Sequence, residues 1–61
     1  MAIRYYFTSE IEARKAINDC NNLGYWATTV MGGYPQGVKM IVECTELAEG
    51  LIESRYKDFI K

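Results

Sequence analysis

The groups in this chain that could do chemistry are few, and their spacing argues against most reactions. Cys20 and Cys44 are the two thiols, Ser9 and Ser54 the two serines, and there is no histidine. The usual base that activates a thiol or hydroxyl nucleophile is therefore missing. The carboxylates are scattered over surfaces that read as helical, where solvent leaves them ordinary acids. The cysteines are not spaced as a CxxC pair and have no second metal-type ligand nearby, so they supply neither a zinc site nor a redox couple. Each reads as a small buried apolar residue, with a disulfide between them the lesser alternative. These residues predict no enzyme, no cofactor and no metal.

The segment Gly32-Gly33-Tyr34-Pro35-Gln36-Gly37-Val38-Lys39 has glycines five apart with a lysine nearby, the outline of a phosphate cradle. Its chemistry fails: the lysine comes one residue late, no Ser or Thr follows to hold Mg²⁺, and a strand follows instead of a helix N-terminus. A hairpin loop is the better reading, with Tyr34 at its tip as an exposed aromatic able to anchor a partner.

The elements that must position these groups follow from the pattern. Ile3, Tyr5 and Phe7 alternate with Arg4, Tyr6 and Thr8, giving a strand over 3–8 with Ile3, Tyr5 and Phe7 inward. Ser9-Glu10-Ile11-Glu12 is a capping box that starts a helix at about Glu10, and Gly24 ends it after Asn22 or Leu23. At about 100° per residue, Ala13, Ala16, Ile17, Cys20 and Leu23 fall on one stripe. Ile11 lies outside it as an exposed apolar residue. Residues 25–31 form a second strand whose inward face the pattern leaves open, since Tyr25, Ala27, Thr29 and Met31 oppose Trp26, Thr28 and Val30. Residues 38–44 return as a third strand, antiparallel to the second.

Thr45 is the N-cap candidate of a second helix running to the terminus, with Glu46 and Glu49 in its first turn and Arg55, Lys57 and Lys61 toward its end. Its apolar arc holds Leu47, Ala48, Leu51, Ile52 and Phe59, with Tyr56 at the margin. Arg55 falls in the middle of that arc. Its stem can pack while the guanidinium reaches the rim or pairs with Asp58 or Glu43; otherwise it reaches a partner. Glu10 with Arg14 and Glu53 with Lys57 have the spacing of supporting ion pairs.

A right-handed crossover from the first strand to the second leaves room for the third between them. The predicted class is α+β: one βαββα domain over 1–61, with a three-stranded antiparallel sheet of order 1-3-2 and two helices on one face. This arrangement resembles the ferredoxin-like fold without its last strand. A 61-residue chain buries only about 60% of its unfolded surface, which leaves room for one modest core. Its 49% apolar and 25% charged residues are those of a folding globular domain.

A formal charge of -1 argues against strong non-specific attraction to nucleic acid or anionic membrane. No apolar run approaches the roughly 20 residues of a membrane span, and the segment from Met1 to Tyr5 lacks the apolar stretch of a secretory leader. The chain is expected to be cytoplasmic, without a membrane partner.

The helix-free face of the sheet is the leading candidate site. It would carry Arg4, Tyr6 and Thr8 from the first strand, Lys39, Ile41 and Glu43 from the third, and Tyr25 or Trp26 from the second. Arg4, Tyr6, Trp26, Tyr34, Lys39, Ile41 and Arg55 are the expected partner-binding residues. The outer edge of the first strand, if no fourth strand covers it, presents unpaired backbone groups that a two-fold homodimer could complete.

The leading functional expectation is a small non-catalytic module that binds another protein stoichiometrically, as a regulator or inhibitor of the kind a phage or mobile element encodes. One alternative is single-stranded nucleic-acid binding, with Tyr6 and Tyr25 or Trp26 stacking on bases and Arg4 and Lys39 meeting phosphates; it is less favoured because Glu43 would repel them. The other is a structural homo-oligomer subunit.

Overall fold

Alternation along the first segment produces strand β1, Ile3–Phe7, in the computed structural model of the protein, which describes residues 2–61. Met1, the first residue of the leader reading, lies outside the described residues. Helix α1, Glu10–Asn22, begins where the sequence places it: Ser9 is extended, and its hydroxyl accepts from the Glu12 N–H at 3.3 Å. Glu10 and Arg14 form the expected ion pair, at 3.1 Å.

The helix ends in a Schellman closure. Gly24 adopts φ 83°, the Gly24 N–H donates to the Asn21 carbonyl at 3.0 Å, and the Tyr25 N–H donates to the Cys20 carbonyl at 2.8 Å. The closure takes Leu23 out of the helical path, so Leu23 is exposed and does not complete the buried stripe of Ala13, Ala16 and Cys20.

Tyr25 leaves that turn packed against the core, which resolves the ambiguity of the second strand. Strand β2, Ala27–Val30, turns Ala27 inward, while Trp26 and Thr28 face the other way into solvent. The loop at 31–39 consumes residues that the pattern assigned to strands, so strand β3 is Met40–Cys44, shorter than expected. It pairs antiparallel with both neighbours in a sheet of order β1-β3-β2.

Helix α2 covers Glu46–Tyr56 and does not reach the terminus. A 3₁₀ turn at Lys57–Phe59 redirects the chain so that Ile60 forms an isolated antiparallel bridge with Phe7. Thr45 occupies the N-cap position but makes no capping bond with its hydroxyl; its carbonyl accepts from the Glu49 N–H at 3.0 Å.

Of the expected arc, Ala48 and Ile52 are buried with the marginal Tyr56, a line at i, i+4, i+8, and Leu51 and Phe59 pack against the core, while Leu47 and Arg55 fall outside it. Leu47 is 70% exposed, and Arg55 stands in solvent 3.9 Å from Asp19, neither buried nor paired with Asp58 or Glu43. The physical reason is Tyr56. Its ring packs 6.3 Å from that of Phe7, its hydroxyl donates to Asp19 of α1, and this rotation spares a guanidinium from burial.

The core joins Phe7, Met40, Val42, Cys44 and Ala27 of the sheet to Ala13, Ala16 and Cys20 of α1 and to Ala48, Ile52 and Tyr56 of α2. The sheet members share one face, so both helices cover that face and leave the other bare. Fully burying a side chain of the size of Phe7, Val42 or Ile52 contributes roughly 1.5–3 kcal/mol. Small side chains along α1 let it approach the sheet closely. Both cysteines are free thiols within this core.

Candidate interaction face and sheet edges

Two cross-strand rows make up the helix-free face. In the first, Arg4, Glu43 and Thr28 lie side by side; in the second, Tyr6, Ile41 and Val30. Arg4 Nε lies 3.4 Å from Glu43 Oε2, so the cation that could have met a phosphate is already engaged by a carboxylate. Ile41 is only 8% exposed, unlike the open apolar contact expected of it, because half-buried Tyr6 and Val30 flank it. Trp26 is 49% exposed beside Thr28 and is the large apolar side chain the face offers most openly.

The other expected contact residues are dispersed. Lys39 is exposed just before β3, on the loop side of the apolar row. Tyr34 is not a free anchor at a loop tip: it is half-buried, and its hydroxyl donates to the Val30 carbonyl at 2.9 Å, folding the loop back on the sheet. Arg55 lies on the helical side of the molecule, bridging toward α1, and does not join this face. The structure therefore brings together Arg4, Tyr6, Trp26 and Ile41.

The two outer edges differ. On β1, the Phe7 carbonyl accepts from Lys39 N–H at 2.8 Å, whereas the groups that point outward are taken by the C-terminal tail: Thr8 N–H donates to the Phe59 carbonyl and Lys61 N–H to the Tyr6 carbonyl, both at 2.7 Å. The tail thus seals the second half of the edge expected to be open. On β2, the Trp26 carbonyl accepts from Thr45 N–H at 3.2 Å on the β3 side. By the alternation of strand backbone, Ala27 and Thr29 then direct their N–H and C=O groups away from the sheet. Between that edge and α1 lies a groove of about 360 Å³ lined by Arg14, Ile17, Asn18, Asn21 and residues 27–29. The sequence pattern for this edge was a run without charge or proline, which strand edges commonly carry as protection.

The groups moved furthest from ordinary acidity lie in the core or pack against it. Burial, reinforced by the Asp19 carboxylate, pushes the Tyr56 hydroxyl up to about 12, and burial pushes the Cys44 thiol up to about 11. Tyr5 is raised by burial and by donating to Glu53 at 2.9 Å. Among the described residues, no three His, Cys, Asp or Glu side chains gather as metal ligands, and no helix is long and apolar enough to cross a membrane. Comparison with known proteins finds no matching family model, curated relative or solved structure.

Proposed function

We propose that this chain is a non-catalytic interaction module that binds another protein stoichiometrically, as a regulator or inhibitor, through the helix-free face of its sheet. The observation that carries this reading is that one face holds an exposed aromatic, Trp26, and an apolar row, Tyr6–Ile41–Val30, with the Arg4–Glu43 pair in the row between them. Protein-binding patches draw on exposed aromatic anchors and apolar contacts interleaved with polar groups. Single-stranded nucleic acid is the weaker occupant, because Glu43 neutralises Arg4 and the middle strand presents no stacking aromatic.

Affinity capture with mass spectrometry tests the proposal. The native chain should recover one protein in stoichiometric amount, and Tyr6→Glu, which places a charge in the apolar row, should lose it while keeping a native circular dichroism spectrum. Recovery of no stoichiometric protein, or equal recovery by Tyr6→Glu, would contradict the reading. A salt-dependent change in Trp26 fluorescence on adding oligonucleotide would favour the nucleic-acid alternative.

A further inference from the structure

We infer that the free edge of β2 pairs with the same edge of a second copy of this chain, about a two-fold axis at Thr28, to make a continuous six-stranded sheet. This inference stands on the edge geometry and does not depend on the partner-binding role of the face.

The backbone supplies the first argument. Ala27 and Thr29 both point outward, and a two-fold at Thr28 sets Ala27 opposite the partner's Thr29 and Thr29 opposite the partner's Ala27. Each couple exchanges two N–H···O bonds, about four in all across the interface. Thr28, whose own groups bond toward β3, meets the partner's Thr28 as a close pair without backbone bonds between them.

Side chains supply the second argument, and it selects the register. With the axis at Thr28, Trp26 stands opposite the partner's Val30 on the helix-free face, an aromatic–β-branched pair of the stabilising kind. Continued one residue past each end of β2, the same register sets Tyr25 opposite the partner's Met31. Trp26 and Met31 are 49% and 87% exposed in the single chain, and this register provides a neighbour for each. Moving the axis to Ala27 or Thr29 breaks both matches.

Charge supplies the third. Self-pairing sets each strand against its own reversed copy, so any charge near the axis would meet its like; residues 25–31 carry none. The groove beside β2 is lined by one cation, Arg14, which is already paired with Glu10 at 3.1 Å, with Asn18 and Asn21 further along α1. Two-fold reversal brings Arg14 toward the partner's Asn21, whose carboxamide oxygen can accept from it, and keeps the two guanidinium groups apart. A second copy thus answers the backbone edge and the apolar side chains together, with no like charges brought into contact.

Sedimentation over a wide concentration range reads the result. The native chain should double in mass as concentration rises. Thr28→Lys and Thr28→Glu, at a side chain that is exposed in the single chain, should each remain monomeric with unchanged circular dichroism, and mixing the two should restore a one-to-one dimer. Thr28→Cys should cross-link between copies under mild oxidation, because close non-bonded pairs have Cα atoms about 4.5 Å apart, within disulfide reach. A native chain that stays monomeric at millimolar concentration, a Thr28→Lys variant that dimerises as well as the native chain, or a Lys–Glu mixture that stays monomeric would overturn the inference. If the edge instead binds a strand from a different protein, the native chain alone will be monomeric.

Discussion

The two outer strands of this sheet meet solvent in opposite ways. At β1 the chain closes the second half of its own edge: Phe7 is fully buried, faces Ile60 across an isolated bridge, and packs against the ring of Tyr56. At β2 nothing comparable is built among the described residues, and Trp26 and Met31 remain exposed beside outward-facing backbone. The contrast separates two tasks. The β1 side is tied into the fold by the tail, and the β2 side, continuous with the helix-free face, is the side on which our proposals place other molecules.

The sharpest way to break this contrast is to truncate an aromatic on each side. Phe7→Ala should cost about 3–5 kcal/mol in a urea titration, a large share of what so small a domain possesses. Trp26→Ala should cost less than about 1 kcal/mol, as exposed substitutions do. Equal losses would show that the two edges are not specialised.

The Tyr56 hydroxyl is the next largest effect. Tyr56→Phe removes a hydrogen bond to a carboxylate worth roughly 1.5–3 kcal/mol. The pH dependence has a fixed sign. Folded Tyr56 keeps its proton up to about 12, whereas the unfolded phenol releases it near its ordinary value of 10.0, so the folded state binds more protons in that window and stability falls as pH rises. Cys44 contributes the same slope between 9.0 and about 11. Denaturation midpoints from pH 9 to 12 should therefore drop for the native chain and drop less steeply for Tyr56→Phe.

Removing Ile60 and Lys61 should be milder in stability, about 1 kcal/mol from the lost Lys61–Tyr6 bond, with some further loss from Ile60 packing. Its more telling effect is on association: with both edges open, the truncated chain should form species larger than dimers in sedimentation. Smallest of all, Arg4→Gln breaks an exposed ion pair and should change stability by less than about 1 kcal/mol.

Much of this architecture was legible in the sequence because local rules and the global fold agree. Ser9 and Gly24 delimit α1, the alternation at Ile3, Tyr5 and Phe7 faces the core, and a crossover with one slot left fixes the order β1-β3-β2. What escaped is long-range. The second helix was readable as amphipathic, but its rotation depends on Tyr56 meeting Phe7 and Asp19, residues distant in sequence. The tail was readable only as more helix, since its capture by β1 is a tertiary bond between Thr8 and Phe59. Tyr34 looked free for the same reason, its partner being a main-chain carbonyl that no side-chain pattern reveals. Within the face, Arg4, Tyr6, Ile41 and Glu43 were placed correctly by period-2 alternation. Trp26 needed the helix-ending turn before its side could be assigned.

Amide hydrogen exchange, followed by NMR in solution dilute enough to keep the chain monomeric, tests the unequal edges most directly. The Thr8 and Lys61 amides should be protected and those of Ala27 and Thr29 should exchange at rates typical of solvent-exposed loops. Protection at Ala27 and Thr29 under dilution, or rapid exchange at Thr8 and Lys61, would contradict the account.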